Sequence, residues 1–165
     1  MAITAFEALW FLPFVLPICL YVAYTDLAFM KITNKAVLVL GAVFVVLGPL
    51  VLPSLEIYAW RLSHIAVVLV AGILLNAAGA LGAGDAKFCA AAAPFVALGD
   101  WQRVLLLFAA LMLAAFFTHR VARMSPLRRI APHWVSWTER KRFPMGLALG
   151  PTLAAYLCLA ALNGA

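Results

Sequence analysis

Two of the six carboxylates in this 165-residue chain, Asp26 and Asp85, stand where a pair could do hydrolytic chemistry. Two carboxylates a few ångströms apart cannot both ionise easily, so they share a proton. One then serves as general base on water while the other donates to a carbonyl oxygen. Such a pair cleaves a peptide bond with no metal and no nucleophilic Ser or Cys, and its apparent pKa values belong to the pair. The other four acids call for less. Glu7, Glu56 and Asp100 read as solvated caps at helix ends on the opposite side of the bundle, and Glu139, beside Arg140, Lys141 and Arg142, as paired or solvated.

Asp85 lies in Gly79-Ala80-Leu81-Gly82-Ala83-Gly84-Asp85-Ala86-Lys87. Glycine permits positive φ and a sharp turn, and lets backbone or substrate approach closely. The same letters also suit a helix N-terminus capped by an Asp after a glycine turn. Lys87 is either an anchor at the membrane surface or a local tuner of Asp85, and the anchor role needs no special geometry.

The elements that must position these residues are membrane helices. The chain is 67% hydrophobic and 11% charged, with a mean hydropathy of +1.08. A soluble domain of this length needs far more polar surface. Charge-free stretches cover 8–25, 36–55, 62–84, 104–119 and 143–165, and about 20 helical residues cross a hydrocarbon core of about 30 Å. A sixth stretch, 88–99 (FCAAAAPFVALG), is short but rich in the small residues that let helices approach. The N-terminal stretch, with Glu7 as its only charge, reads as the first span and not as a cleavable signal.

If all six stretches cross, loops 25–35, 81–87 and 120–142 share one side. They carry ten of the twelve basic residues, leaving Arg61 and Arg103 opposite. The positive-inside rule then makes the loop side cytoplasmic and places both termini outside. It also explains the net charge of +6 without nucleic acid. The same topology puts Asp26 and Asp85, from different hairpins, at one membrane depth. The expected fold is an all-α integral membrane protein of six transmembrane helices, one domain over residues 1–165. The loop RVARMSPLRRIAPHWVSWTERKRF, with Trp134 and Trp137, fits a segment resting on anionic lipid. Asn76 suits either an interhelical hydrogen bond or a place facing the site. His64 and His119 read as interfacial, Cys19, Cys89 and Cys158 as small buried hydrophobes, and no set has metal-ligand spacing.

Gly82-Ala83-Gly84-Asp85-Ala86-Lys87 resembles the G-x-G-D-x-K signature of the type IV prepilin peptidases. Asp26-Leu27-Ala28-Phe29-Met30-Lys31-Ile32-Thr33-Asn34 resembles their first-aspartate motif, with Thr33 in the place of the usual proline. Phe143-Pro144-Met145-Gly146 is similar to the Pro-x-Gly segment opening their last span. The resemblance implies an aspartic endopeptidase of the bacterial inner membrane, with catalysis by Asp26 and Asp85 and support from Gly82, Gly84, Lys87 and Asn34. It implies no cofactor. The substrate would be a pilin or pseudopilin precursor, cut at the cytoplasmic face after a short leader that precedes a hydrophobic helix. The chain lacks the paired C-x-x-C insert of bifunctional members, so methyl transfer is not expected, and the compact form resembles the Flp/Tad-pilus type. Because pilin leaders and these loops are both basic, recognition is expected to rest on the substrate's hydrophobic helix against the Ala-rich stretch at Ala91 and Ala92. Two readings from other classes use the same residues. A proton-coupled transporter would prefer its acids near the bilayer midplane in broken helices. A non-catalytic assembly component would use both as caps.

Overall fold

The protein, described by a computed structural model over residues 1–139 and 142–164, is a bundle of helices with no strand among the described residues. The helices are α1 (Ala5–Phe29), α2 (Asn34–Val51), α3 (Leu55–Ala77), α4 (Ala83–Ala92), α5 (Trp101–Met124) and α6 (Gly146–Asn163). Five segments are long and apolar enough to cross a membrane: α1, α2, α3, Leu98–Met124 and α6. Arg140 and Lys141, two of the basic residues counted above, lie outside the described residues.

Local signals set the helix ends. Thr4, Thr33 and Ser54 are N-caps whose side chains accept from the N–H groups of Glu7, Ala36 and Ile57, satisfying donors that a first turn leaves free. Thr33 sits at φ −78°, close to the angle a proline ring imposes. The threonine therefore keeps the turn that proline would give and adds a cap. Helix α1 closes on Met30 in the left-handed region, φ 52°, which turns the chain sharply into α2.

The charge-to-charge limits misplaced the third span. Helix α3 begins at Leu55 and contains Arg61, because Arg61 Nη2 donates to Glu7 at 2.8 Å and both side chains are buried. Glu7 is thus a buried ion-pair partner and not a solvated cap. The same helix ends at Ala77 and not at 84, where Gly79 turns at φ 75°. Asn76 Nδ2 donates to the Leu81 carbonyl at 2.7 Å and braces the turn before Gly82.

The sixth stretch is a broken segment and not a long helix. Helix α4 gives way to a 3-10 turn at Ala93–Phe95, extended residues at Val96 and Ala97, and a second turn at Leu98–Asp100. It still runs the length of the bundle. Asp85 lies near Asp26, late in α1, whereas Asp100 Oδ2 accepts from the N–H groups of Ala2 and Ile3 at the opposite end, at 2.7 and 3.2 Å. Unwound backbone at that depth needs partners inside the protein. Tyr156 of α6 supplies one, its hydroxyl accepting from the Ala97 N–H and donating to Asp100 Oδ2. Asp100 is therefore fully buried, with Arg103 bonded to its other oxygen, and is not the solvated cap expected of it.

Phe11 of α1, Phe44 of α2 and Phe95 of the broken segment meet with ring centroids 5.0–5.7 Å apart and form the middle of the core. Helix α6 lies closest to α1, at a point where a Cβ on Gly150 would meet the Cys19 carbonyl. Of the three cysteines only Cys19 is fully buried. The basic loop folds back onto the bundle. Trp137 is buried, its Nε1 donating to the Ala131 carbonyl, and it stacks on His119 and Trp134, which meets Tyr24. Trp137 thus packs on protein, and His119 lies half-buried beneath it.

Candidate active site

Asp26 is carried on the last turns of α1, on the face that meets α6. Residues 19 and 26 are two turns apart on α1, and Gly146 and Gly150 are one turn apart on α6, so the contact that seats Gly150 on Cys19 brings Gly146 to Asp26. The Gly146 N–H donates to Asp26 Oδ2 at 2.6 Å. Met145, the N-cap of α6, makes no side-chain cap bond. The carboxylate of a different helix therefore does the capping, where exposed N–H groups and the helix dipole favour negative charge. A Cβ on residue 146 would lie 2.8 Å from the Asp26 Cβ and 3.0 Å from Oδ2, so the approach requires glycine.

Asp85 is the third residue of α4, after the glycine N-cap Gly82. Its carboxylate turns back toward Gly82, the direction taken by the N3 side chain of a capping box. A Cβ on Gly82 would collide with Asp85 Oδ2. The position of Asp85 in the first turn of α4 suits a cap and leaves its carboxylate at the same end of the bundle as Asp26. Gly84 is set against Ile32 of the turn after α1, where a Cβ would lie 3.3 Å from the Ile32 Cβ. That contact draws the Asp85 turn onto the loop following Asp26.

Asn34 and Lys87 complete the link between the two motifs, Lys87 Nζ donating to Asn34 Oδ1 at 3.2 Å on the exposed rim. All six candidate residues gather at one end of the bundle, with Asp26 buried, Asp85 and Gly84 half-buried, and Gly82, Lys87 and Asn34 exposed. Gly146 is the site residue whose part was not read from the sequence. The signal was there in the G-x-x-x-G spacing of Gly146 and Gly150, which marks a close helix–helix face.

Long apolar helices enclosing two neighbouring carboxylates near one end define a multi-pass membrane protein with a candidate hydrolytic site. A family model, that of the type IV leader peptidase family, matches residues 13–119. The chain belongs to that family and is a prepilin-type peptidase. The match contains Asp26, Asn34, Gly82, Gly84, Asp85 and Lys87, whereas Gly146 lies beyond it. Among curated proteins and among solved structures there is no significant match to this chain.

Proposed function

We propose that the protein is an aspartic endopeptidase that removes the short leader of Flp-type prepilins at the cytoplasmic face of the bacterial inner membrane, with Asp26 and Asp85 as its catalytic pair. The observation that carries this reading is that two carboxylates from separate hairpins stand at one end of the bundle, Asp26 with Oδ2 tied to the Gly146 N–H and Asp85 with Oδ2 turned onto Gly82. The tether on Asp26 Oδ2 leaves its second oxygen for water and substrate. In the reaction, the ionised member of the pair takes a proton from water, whose oxygen bonds to the scissile carbonyl carbon. The protonated member gives its proton to the carbonyl oxygen. Collapse of the tetrahedral intermediate breaks the C–N bond as the amine nitrogen takes up a proton from the pair. Two carboxylates that act together on one water favour one shared proton, so the titration would belong to both.

Six crossings, with both termini outside, fit the course of the chain from Asp85 to Asp100 and the basic loops at the carboxylate end. A midplane transport site is disfavoured, because both carboxylates sit at element ends beside the loops. Cleavage of a co-expressed Flp-type precursor by wild type, Asp26→Asn and Asp85→Asn tests the reading, with membrane levels and detergent melting compared. Either substitution should abolish cleavage in an inserted, folded protein. Cleavage persisting in either variant would sink the dyad.

A further inference from the structure

Helices α3 and α5 are the least buried of the long helices, and a groove of about 700 Å³ runs between them, floored by α4 and α6. Its walls are almost wholly apolar, with Val67 on α3, Ala92 and Ala93 below, Phe108 on α5 and Leu153 on α6. Along α3 it extends from Trp60 to Leu75, roughly 22 Å at the helical rise. At one end it reaches Leu81, Cys89 and Met145. Leu81 precedes Gly82, Cys89 is one turn beyond Asp85 and within its field, and Met145 precedes Gly146. The groove therefore leads from the opposite end of the bundle to residues adjoining the Asp85 turn and the Gly146 cap of Asp26.

We infer that this groove seats the apolar helix of the substrate, held antiparallel to α3 and α5 with its N-terminus at the Asp26–Asp85 end. The inference rests on the peptidase reading above and adds to it where the rest of the substrate lies. Three features select a polypeptide helix over an acyl chain. A helix in this direction presents its positive N-terminal dipole to two carboxylates. It continues directly into the peptide bond that the pair must reach. The adjacent Ala92 and Ala93 leave the floor low enough for backbone approach. A cylinder about 10 Å wide and 22 Å long occupies about 1,700 Å³, so the groove takes one face of the helix and leaves the other to lipid. Ala91, by contrast, is buried in the core, so of the two alanines expected to meet the substrate only Ala92 lies on this surface.

Site-specific photocrosslinking in native membranes tests the placement. A photoreactive residue goes at Val67 or Ala92 in the groove, or at Leu38 or Leu113, which are 72% and 61% exposed elsewhere on the bundle. Each is placed in an Asp85→Asn background with a co-expressed Flp-type precursor. Adducts with the precursor should form at Val67 and Ala92, at least tenfold above Leu38 and Leu113. Equal yields at all four positions, or adducts only with lipid at Val67 and Ala92, would overturn the inference. A kinetic arm uses Ala92→Phe, which should lower cleavage of the precursor relative to a short leader peptide lacking the helix by about tenfold or more, one 1.4 kcal/mol step. Leu113→Phe should leave that ratio unchanged. If precursor is cut and cutting needs both aspartates, but no groove adduct forms, the groove alone is wrong. Cutting that survives Asp26→Asn or Asp85→Asn removes the peptidase mechanism instead.

Discussion

Replacing Gly146 by alanine should impair cleavage far more than it impairs folding. The new Cβ would lie 2.8 Å from the Asp26 Cβ, against about 3.5–4.0 Å for carbon atoms at rest. The obstructing atom is the first of the Asp26 side chain and cannot swing away, so the start of α6 must retreat by roughly 0.7 Å or more. The N–H to Oδ2 distance would then grow from 2.6 Å to about 3.3 Å, past the usual upper end for such a bond. A hydrogen bond to a charged group is worth about 1.5–3 kcal/mol, or roughly 10- to 150-fold in rate if all of it positions the reacting carboxylate. The assay is the initial rate of precursor cleavage in membranes, with kcat and KM separated in detergent. The loss should fall mainly on kcat, since Gly146 positions Asp26 and does not line the groove. Gly41→Ala is the control, because nothing lies within 4 Å of a Cβ there. Wild-type kcat in a folded Gly146→Ala protein would refute the reasoning, for it would mean that Asp26 needs neither the bond nor the space.

Gly82→Ala puts its Cβ onto Asp85 Oδ2 and should cut the cleavage rate at least tenfold with unchanged membrane insertion; a rate within threefold of wild type would show that the Asp85 rotamer is unimportant. The pH profile of kcat should have two limbs, since one carboxylate must be ionised and the other protonated, and Asp26→Asn should not leave a profile of wild-type height. Glu7→Leu leaves Arg61 buried without its partner and should cost roughly 3–5 kcal/mol, whereas the double variant Glu7→Leu, Arg61→Met should recover most of it. Thermal unfolding in detergent reads that difference, and equal melting of single and double variants would count against a buried pair.

Much of this protein is decided by composition and short-range pattern. Uncharged runs of about 20 residues fit membrane helices, because backbone in lipid must satisfy its own hydrogen bonds. Asp26 and Asp85 each stand at the end of an apolar run beside basic residues, which is enough to expect them at one end of the bundle. Their glycine and Asn neighbours follow from the two motifs. What the chain's order could not reveal is how charges are compensated across space. Arg61 was read as a boundary because an isolated charge is costly in lipid, yet Glu7, 54 residues away, removes much of that cost and admits it to α3. Asp100 looked exposed for the same reason, and only Tyr156, Ala2 and Ile3 make it a buried hub that also supports the unwound Ala97. The donor to Asp26 is likewise a backbone N–H from residue 146. A backbone N–H exists at every residue but proline, so its use as a partner is decided solely by how closely two helices pack. The sequence by itself determined which groups are present and at which ends of the helical runs they stand, through local hydropathy and turn chemistry. Tertiary packing alone decided which of them meet, because those meetings depend on helix faces brought together from distant parts of the chain.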